Sequence, residues 1–230
     1  DPAFVSGCKL AVIDENANYL ESAVIYPTQP KNDYENSKKK VLELVRKYTI
    51  TGVAIGNGTG SRETQEFFAR INKEENIQLS YTVVSEAGAS VYSASQLAQE
   101  EYPHLDVTIR GAISIAQRLR DPMAALVKID PKSLGIGQYQ HDVDQKLLQK
   151  RLDDVTSDIV NRIGVDINSA SASLLSHVAG IGIKIAKNII EFRDSNGNFN
   201  TKEQLLKVKG LGKKAYEQAA GFIRIKEGKN

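Results

Sequence analysis

The sequence predicts an α/β domain on a mixed sheet flanked by helices, followed by a small all-α module of two helical hairpins. Three observations carry this reading. Over residues 1–135, short apolar runs with strand character alternate with segments of helical periodicity. Beyond residue 167 one pattern occurs twice: Val178-Ala-Gly-Ile-Gly182 and, thirty residues on, Val208-Lys-Gly-Leu-Gly212. Charge divides in the same region, with 11 Lys+Arg against 5 Asp+Glu over residues 170–230 and 19 against 23 before them.

The elements follow in order. Cys8, Leu10 and Val12 alternate with Lys9 and Ala11, which predicts a strand over 7–14, and 19–26 can pair back on it as a hairpin, with room for a third strand after Tyr26. Pro27 and Pro30 mark a loop. Asn36 or Ser37 can cap a helix with Val41, Leu42, Val45 and Tyr48 on one face, and Lys38-Lys39-Lys40 reads as solvated surface. Gly52–Gly56 is a buried-type strand, Ser61 starts a helix carrying Phe67, Phe68 and Ile71, and 79–85 is the next strand. Helices are expected over 87–101 and 109–119, and Asp121-Pro122 opens another. Residues 132–143 read as a loop. An amphipathic helix covers 144–163, closed by Gly164, with Leu148, Leu152, Val155, Ile159 and Ile163 in its stripe. Asn168 or Ser169 can cap the first of four short helices, whose core is expected to include Leu174, Leu175, Ile189, Phe199, Leu205 and Leu206.

Composition excludes several classes. Cys8 is the sole cysteine, so no intrachain disulfide forms, and a reducing, cytoplasmic setting is expected. No apolar run approaches the ~20 residues of a membrane-spanning helix, and no secretory leader is visible. The chain opens Asp1-Pro2 and its sole methionine is Met123, which reads as a fragment or processed piece.

The doubled motif carries the clearest chemistry. Gly180 and Gly182, and again Gly210 and Gly212, allow a tight turn with bare N–H groups at a helix start, where the dipole favours an anion. Lys184, Lys187, Lys213 and Lys214 follow at once. Together they predict a cradle for nucleic-acid phosphates, indifferent to sequence. Gly56-Asn-Gly58 imitates a nucleotide fingerprint, but the sixth position is Ser61 and no Gly-Lys-Ser/Thr follows. Gly135-Ile-Gly137 imitates the hairpins without a basic helix after it. His141 reads as a hydrogen-bonding residue between domains and Cys8 as a small core residue. Arg110, Arg118 and Arg120 can serve phosphate or local acids equally well.

Three carboxylates stand at element ends: Asp1 before the first strand, Glu86 after 79–85, and Asp121 at a helix start. Brought together, they could hold Mg²⁺ or Mn²⁺ for phosphodiester cleavage.

Several long strings resemble one family. Asp1-Pro-Ala-Phe4, Gly7-Cys-Lys-Leu-Ala-Val12, Gly56-Asn-Gly-Thr59, Val84-Ser-Glu-Ala-Gly-Ala-Ser-Val-Tyr-Ser-Ala-Ser95, Arg110-Gly-Ala-Ile-Ser-Ile-Ala116, Asp130-Pro-Lys-Ser133 and Gly137-Gln-Tyr-Gln-His-Asp-Val143 are similar to the Tex family of bacterial transcription accessory proteins, over nearly the whole chain. The resemblance implies a YqgF domain over 1–135, similar to the RuvC Holliday-junction resolvase and of RNase H fold. It implies a connecting loop and long helix over 136–166 and a tandem helix-hairpin-helix domain over 167–230. Asp1, Glu86 and Asp121 then match the acidic positions of the RuvC-like metal site, with Mg²⁺ or Mn²⁺ as its ion; binding itself needs no cofactor. Family members are nucleic-acid-binding transcription factors, so DNA or RNA backbone and RNA polymerase or other transcription proteins are the expected partners, with no membrane. Two departures concern Asp1. Val5-Ser6 stands where Arg-Thr is expected, and the strand that should support Asp1 is cut or missing. The favoured function is a nucleic-acid-binding transcription accessory factor; a metal-dependent nuclease acting through Asp1, Glu86 and Asp121 and a scaffold for transcription proteins are the alternatives.

Overall fold

The computed structural model describes residues 1–225. The chain divides into two compact units, Asp1–Ala125 and a second that begins at Leu126. The division falls upstream of the connector expected over 136–166, which lies with the second unit.

The first unit opens with β1 (Cys8–Ile13) and β2 (Tyr19–Ile25), antiparallel, with Cys8 opposite Ile25 and a register shift at Val12/Ile13. Their turn is built by Asp14, whose Oδ1 accepts the N–H groups of Asn16 and Asn18, both at 2.8 Å. No strand follows Tyr26 among the described residues before α1 (Tyr34–Tyr48). That helix starts earlier than Asn36 or Ser37, because the Ser37 side chain is committed elsewhere. Its hydroxyl accepts from Tyr26 N–H at 3.1 Å and fastens the preceding loop. Thr49, left-handed at φ 52°, ends α1. β3 (Gly52–Gly56) then pairs in parallel with β4 (Ser80–Val84), on either side of α2 (Ser61–Glu75).

The helix expected over 87–101 is two pieces, α3 (Ala89–Ser93) and α4 (Gln96–Glu101). Ser95 breaks it by leaving the helical region and accepting Ala98 N–H at 3.1 Å as a new cap. α5 (Val107–Arg120) is capped by Asp106, and α6 (Pro122–Leu126) by Asp121. The strands form an antiparallel pair and a parallel pair, both orientations of a mixed sheet, but β1 and β3 are not hydrogen-bonded to each other.

Cys8, Ile25, Val41, Ile55, Phe67, Phe68, Ile71 and Leu79 form the core between these elements. Two polar features depart from expectation. Lys9 is buried, with its ammonium donating to Ser6 O and Gly7 O at 2.9 Å. Lys38 and Lys40 are half-buried and bind α1 to neighbouring elements, through Glu74 and Glu75 of α2 and Glu21 of β2.

The second unit begins with a 3-10 turn (Pro131–Leu134), followed by α7 (Gln145–Ile163), whose N–H groups at Lys146 and Leu147 are accepted by Asp144. Gly164, at φ 78°, ends α7. β5 (Val165–Asp166) pairs in parallel with β6 (Ile223–Arg224), a strand pair that the all-α expectation lacked. Between them lie α8 (Ala172–Leu175), α9 (Ile183–Asn196), a second 3-10 segment (Lys202–Lys207) and α10 (Lys213–Ala219). Ser171, rather than Asn168 or Ser169, caps α8. Asn168 instead clamps Phe199, donating to its carbonyl at 2.9 Å and accepting its N–H at 2.8 Å.

The core holds Leu174, Leu175, Ile189, Phe199 and Leu205 as expected, whereas Leu206 is exposed. It also takes Val178, Ile181, Val208 and Leu211, which are the apolar residues of the two hairpin motifs. Of the expected α7 stripe, Val155, Ile159 and Ile163 remain exposed, and Val160 is the buried residue of that helix.

Candidate nucleic-acid interface

Each hairpin is built by the same short-range bonds. In the first, Val178 N–H donates to Leu175 O at 3.0 Å and Ile181 N–H to Val178 O at 2.9 Å; in the second, Val208 donates to Leu205 O at 3.0 Å and Leu211 to Val208 O at 3.1 Å. Gly180 and Gly210 take φ 81° and 84°, and Gly182 and Gly212 sit in extended backbone at φ −83° and −80°. The apolar residue between the glycines, Ile181 or Leu211, is buried in the core. Gly182 and Gly212 are the N-caps of α9 and α10, and neither helix start has a side-chain cap. A Cβ at Gly182 or Gly212 would meet nothing within 4 Å, so both hairpin tips are open.

Lys184, Lys187, Lys213 and Lys214 are all exposed. Among the described residues none of them is ion-paired, unlike Lys38, Lys40 and Lys47 of the first unit. The second unit thus joins two open amide turns to four uncommitted cations, a combination suited to phosphate oxygens.

The first glycines do a different job. A Cβ at Gly180 would lie 2.8 Å from Ala215 O and 3.0 Å from Gln218 Cβ, so the first hairpin packs on α10. Gly210 faces α9, where Asn188 donates to Lys209 O at 2.7 Å. Each hairpin therefore rests on the helix of the other.

Asn161 of α7 also holds the first hairpin. Its side chain accepts Ala179 N–H and donates to His177 O, both at 3.0 Å. His177 contacts Ser157 through Nδ1 at 3.2 Å, and burial holds its pKa below the ordinary histidine value. Arg193 Nη1 donates to the carbonyls of Ile167, Asn168 and Ala170. These residues carry no recognisable motif. Their one signal is a polar side chain inside an otherwise apolar helical pattern. Asn161→Ala is expected to cost about 1 kcal/mol and to speed exchange of the Ala179 amide selectively, as hydrogen-exchange NMR would show.

In the first unit, Asp1 and Glu86 line one cleft of about 280 Å³ with Ser90, Ser93, Thr108 and Gly111. The Gly56-Asn-Gly58 loop makes room for Glu86: a Cβ at Gly58 would fall 1.9 Å from its Oε1, and Asn57 Oδ1 accepts Glu86 N–H at 3.0 Å. That explains the fingerprint-like glycines without a nucleotide. Asp121 does not join the pair. The part of α5 that faces the cleft runs from Val107 through Thr108 and Gly111 to Ile115. Asp121 follows the last residue of this 14-residue helix, and its carboxylate caps Ala124 N–H at 3.0 Å. Its sequence signal, Asp before Pro, was that of a helix cap. The acid at the cleft end of α5 is Asp106, held below the usual carboxylate range by bonds from the Thr108 hydroxyl and N–H. Among the described residues no group of three His, Cys, Asp or Glu side chains could hold a metal ion. The pair thus falls short of the expected site.

The other singled-out residues find local partners. Cys8 is buried in the core. His141 is exposed and lies 3.4 Å from Gln140 Nε2. Arg110 and Arg120 donate to the carbonyls of Tyr102 and Glu15. Arg118 donates to Ser85 O, while its buried Nε and Nη2 have no protein partner. Among the described residues, no helix is long and apolar enough to cross a membrane.

Comparison with known proteins agrees with this division. Residues 1–120 match the family model of the Tex protein YqgF-like domain, and residues 160–224 match that of the helix-hairpin-helix motif. The chain is 51% identical to Protein tex of Bordetella pertussis over 231 aligned residues, covering all of this chain and 29% of that relative. It is 49% identical to the transcriptional accessory protein Tex of Neisseria gonorrhoeae, again over its full length and 30% of the relative. A human relative, S1 RNA-binding domain-containing protein 1, is 48% identical over 99% of this chain and 23% of its own length. The chain therefore spans less than a third of each of these relatives.

Proposed function

The chain belongs to the Tex family, and from that premise we propose that it is the part of a transcription accessory factor that grips a nucleic-acid backbone without reading its sequence. One observation carries the proposal: two hairpins of matching backbone geometry present open tips and four exposed lysines that are not ion-paired among the described residues. Names among the relatives agree with such a role, since one is a transcriptional accessory protein and another carries an S1 RNA-binding domain. Phosphates would sit on the hairpin amides, with Lys184, Lys187, Lys213 and Lys214 around them. Binding should weaken steeply with salt and vary little between sequences. Fluorescence-anisotropy titrations with duplex DNA, single-stranded DNA and RNA at several salt concentrations test it. Binding insensitive to salt would refute backbone contact, and no binding at low salt would favour a protein scaffold.

A nuclease reading is weaker, because two carboxylates share the cleft rather than three. This chain is expected to leave junction, duplex and single-stranded substrates intact in Mn²⁺. Cleavage by the purified chain that Glu86→Gln abolishes would reverse this assignment.

A further inference from the structure

The two hairpins share a backbone and differ in what they display. Shifted by thirty residues, the second turn falls on the first: Leu175, Val178 and Ile181 match Leu205, Val208 and Leu211, and all six are buried. The outward positions do not match. Around the second turn stand Lys207, Lys209, Lys213 and Lys214, all exposed and, among the described residues, not ion-paired. At the same four places the first turn has His177, Ala179, Ile183 and Lys184. Lys184 is its one lasting cation, because His177 is half-buried against Ser157 and burial holds its pKa below the ordinary histidine value. Lys187, one turn further along α9, has Glu217 as its counterpart on α10.

The main chain differs in the same direction. Ala179 N–H of the first turn is already accepted by Asn161 Oδ1 at 3.0 Å, whereas its counterpart Lys209 N–H has no protein acceptor among the described residues. The second turn therefore offers an anion more donors and more positive charge. The first offers carbon. Ile183 is the first residue of α9, directly after Gly182 at the open tip, and is 53% exposed. Phosphate oxygens gain nothing from an isoleucine, since a charged group against hydrocarbon loses water without a replacement hydrogen bond. The carbon faces of sugars and bases do gain, and isoleucine is among the side chains that proteins set against base steps. Its β-branch leaves one main χ1 rotamer in a helix, so little freedom is lost on contact.

We propose that the hairpins divide the work on one nucleic-acid strand or duplex. The second, with Lys207 and Lys209 added to Lys213 and Lys214, holds phosphates; the first lays Ile183 on the carbon face of a sugar or base, beside Lys184. The assignment rests on the hairpins meeting nucleic acid, as proposed above, and gives unequal chemistry to two turns of equal geometry. What brings the ligand to Ile183 is the packing of the module. Gly180 lies against α10, and Asn188 of α9 donates to Lys209 O at 2.7 Å. The two tips are thereby tied together, and a polyanion seated on the lysines of the second is presented to the isoleucine of the first. The carbon contact contributes a share of affinity that salt does not screen.

Binding titrations over a range of salt test it with three probes: duplex DNA, single-stranded DNA of the same length, and inorganic polyphosphate, a polyanion without carbon. Lys207→Ala combined with Lys209→Ala should weaken binding to all three and lower the slope of log K against log salt by about 1.8 on duplex. Ile183→Ser should weaken binding to both DNAs about fivefold at every salt concentration, through lost burial of half an isoleucine side chain. It should leave the salt slope and polyphosphate binding unchanged, and Ile183→Val should keep most of the affinity. A larger effect of Ile183→Ser on single strands assigns the contact to bases and an equal effect on both DNAs to sugars; either supports the proposal. An Ile183→Ser protein that matches the parent on DNA, or that loses as much on polyphosphate as on DNA, overturns it. So does an unchanged slope in the double lysine variant. A parent chain that binds no probe at low salt removes the nucleic-acid reading and this assignment with it, whereas a parent that binds with a salt slope but without these differences removes the assignment alone.

Discussion

Replacing Lys184, Lys187, Lys213 and Lys214 together by alanine should remove most nucleic-acid affinity and most of its salt dependence. Each lysine is exposed and unpaired among the described residues, so its loss leaves no buried partner stranded and the fold should be unaffected. If each neutralises one phosphate, the slope of log K against log salt falls by about 3.6 on duplex and 2.8 on single strands. Between 50 and 200 mM salt the parent would lose on the order of 100-fold in affinity that the variant no longer has to lose. The loss should be uniform across sequences, because phosphate contacts position without specifying. Unchanged affinity, with the circular dichroism spectrum also unchanged, would leave the hairpins a purely structural role.

The second large effect is on stability, and it separates glycines that look equivalent in the sequence. Gly180→Ala should destabilise the second unit by about 2–4 kcal/mol. Alanine at positive φ costs ~1–2 kcal/mol, and its Cβ would meet backbone, Ala215 O, at 2.8 Å, which cannot swing aside. Gly210→Ala bears the conformational term alone, about 1–2 kcal/mol, because its nearest contact is the Asn188 amide at 3.7 Å. Gly182→Ala and Gly212→Ala should cost under ~1 kcal/mol, since both residues are extended and face open space. Urea unfolding of the four variants gives the order directly. A Gly182→Ala variant that folds normally but binds weakly would separate the two roles of the motif. Equal losses at Gly180 and Gly182 would contradict the packing described.

Much of this was legible in the sequence because local signals agreed with one another. The Gly-x-Gly repeat carries its own turn geometry, so its position and form follow from short-range rules. β1, α2 and α7 follow from the spacing of their apolar residues, β2 from its hairpin pairing with β1, and β3 from a continuous apolar run. The carboxylate cleft was only half legible. Glu86 and Asp1 end up together because the Gly56–Gly58 loop leaves room for Glu86, and that is a contact between distant segments. Asp121 misled because a helix cap and a metal ligand use the same side chain at the same kind of position. The two-part helix over 87–101 was hidden because a serine inside a helical pattern declares itself a cap only when the backbone turns. The roles of Asn161, Asn168 and Arg193 are hidden for a related reason: their partners are main-chain groups up to 31 residues away.

Asp1 N donates to Lys9 O and Lys9 N–H donates to Asp1 O, each at 3.0 Å, so the main chain of β1 fixes the position of Asp1 beside the acidic cleft. Successive residues of a strand point to opposite faces, so the register fixed by that pair decides which face receives the Asp1 carboxylate. A slip by one residue would swing the acid out of the cleft and leave Glu86 alone there. The placement of the Asp1 carboxylate thus depends on main-chain bonds to β1 as well as on the side chains lining the cleft.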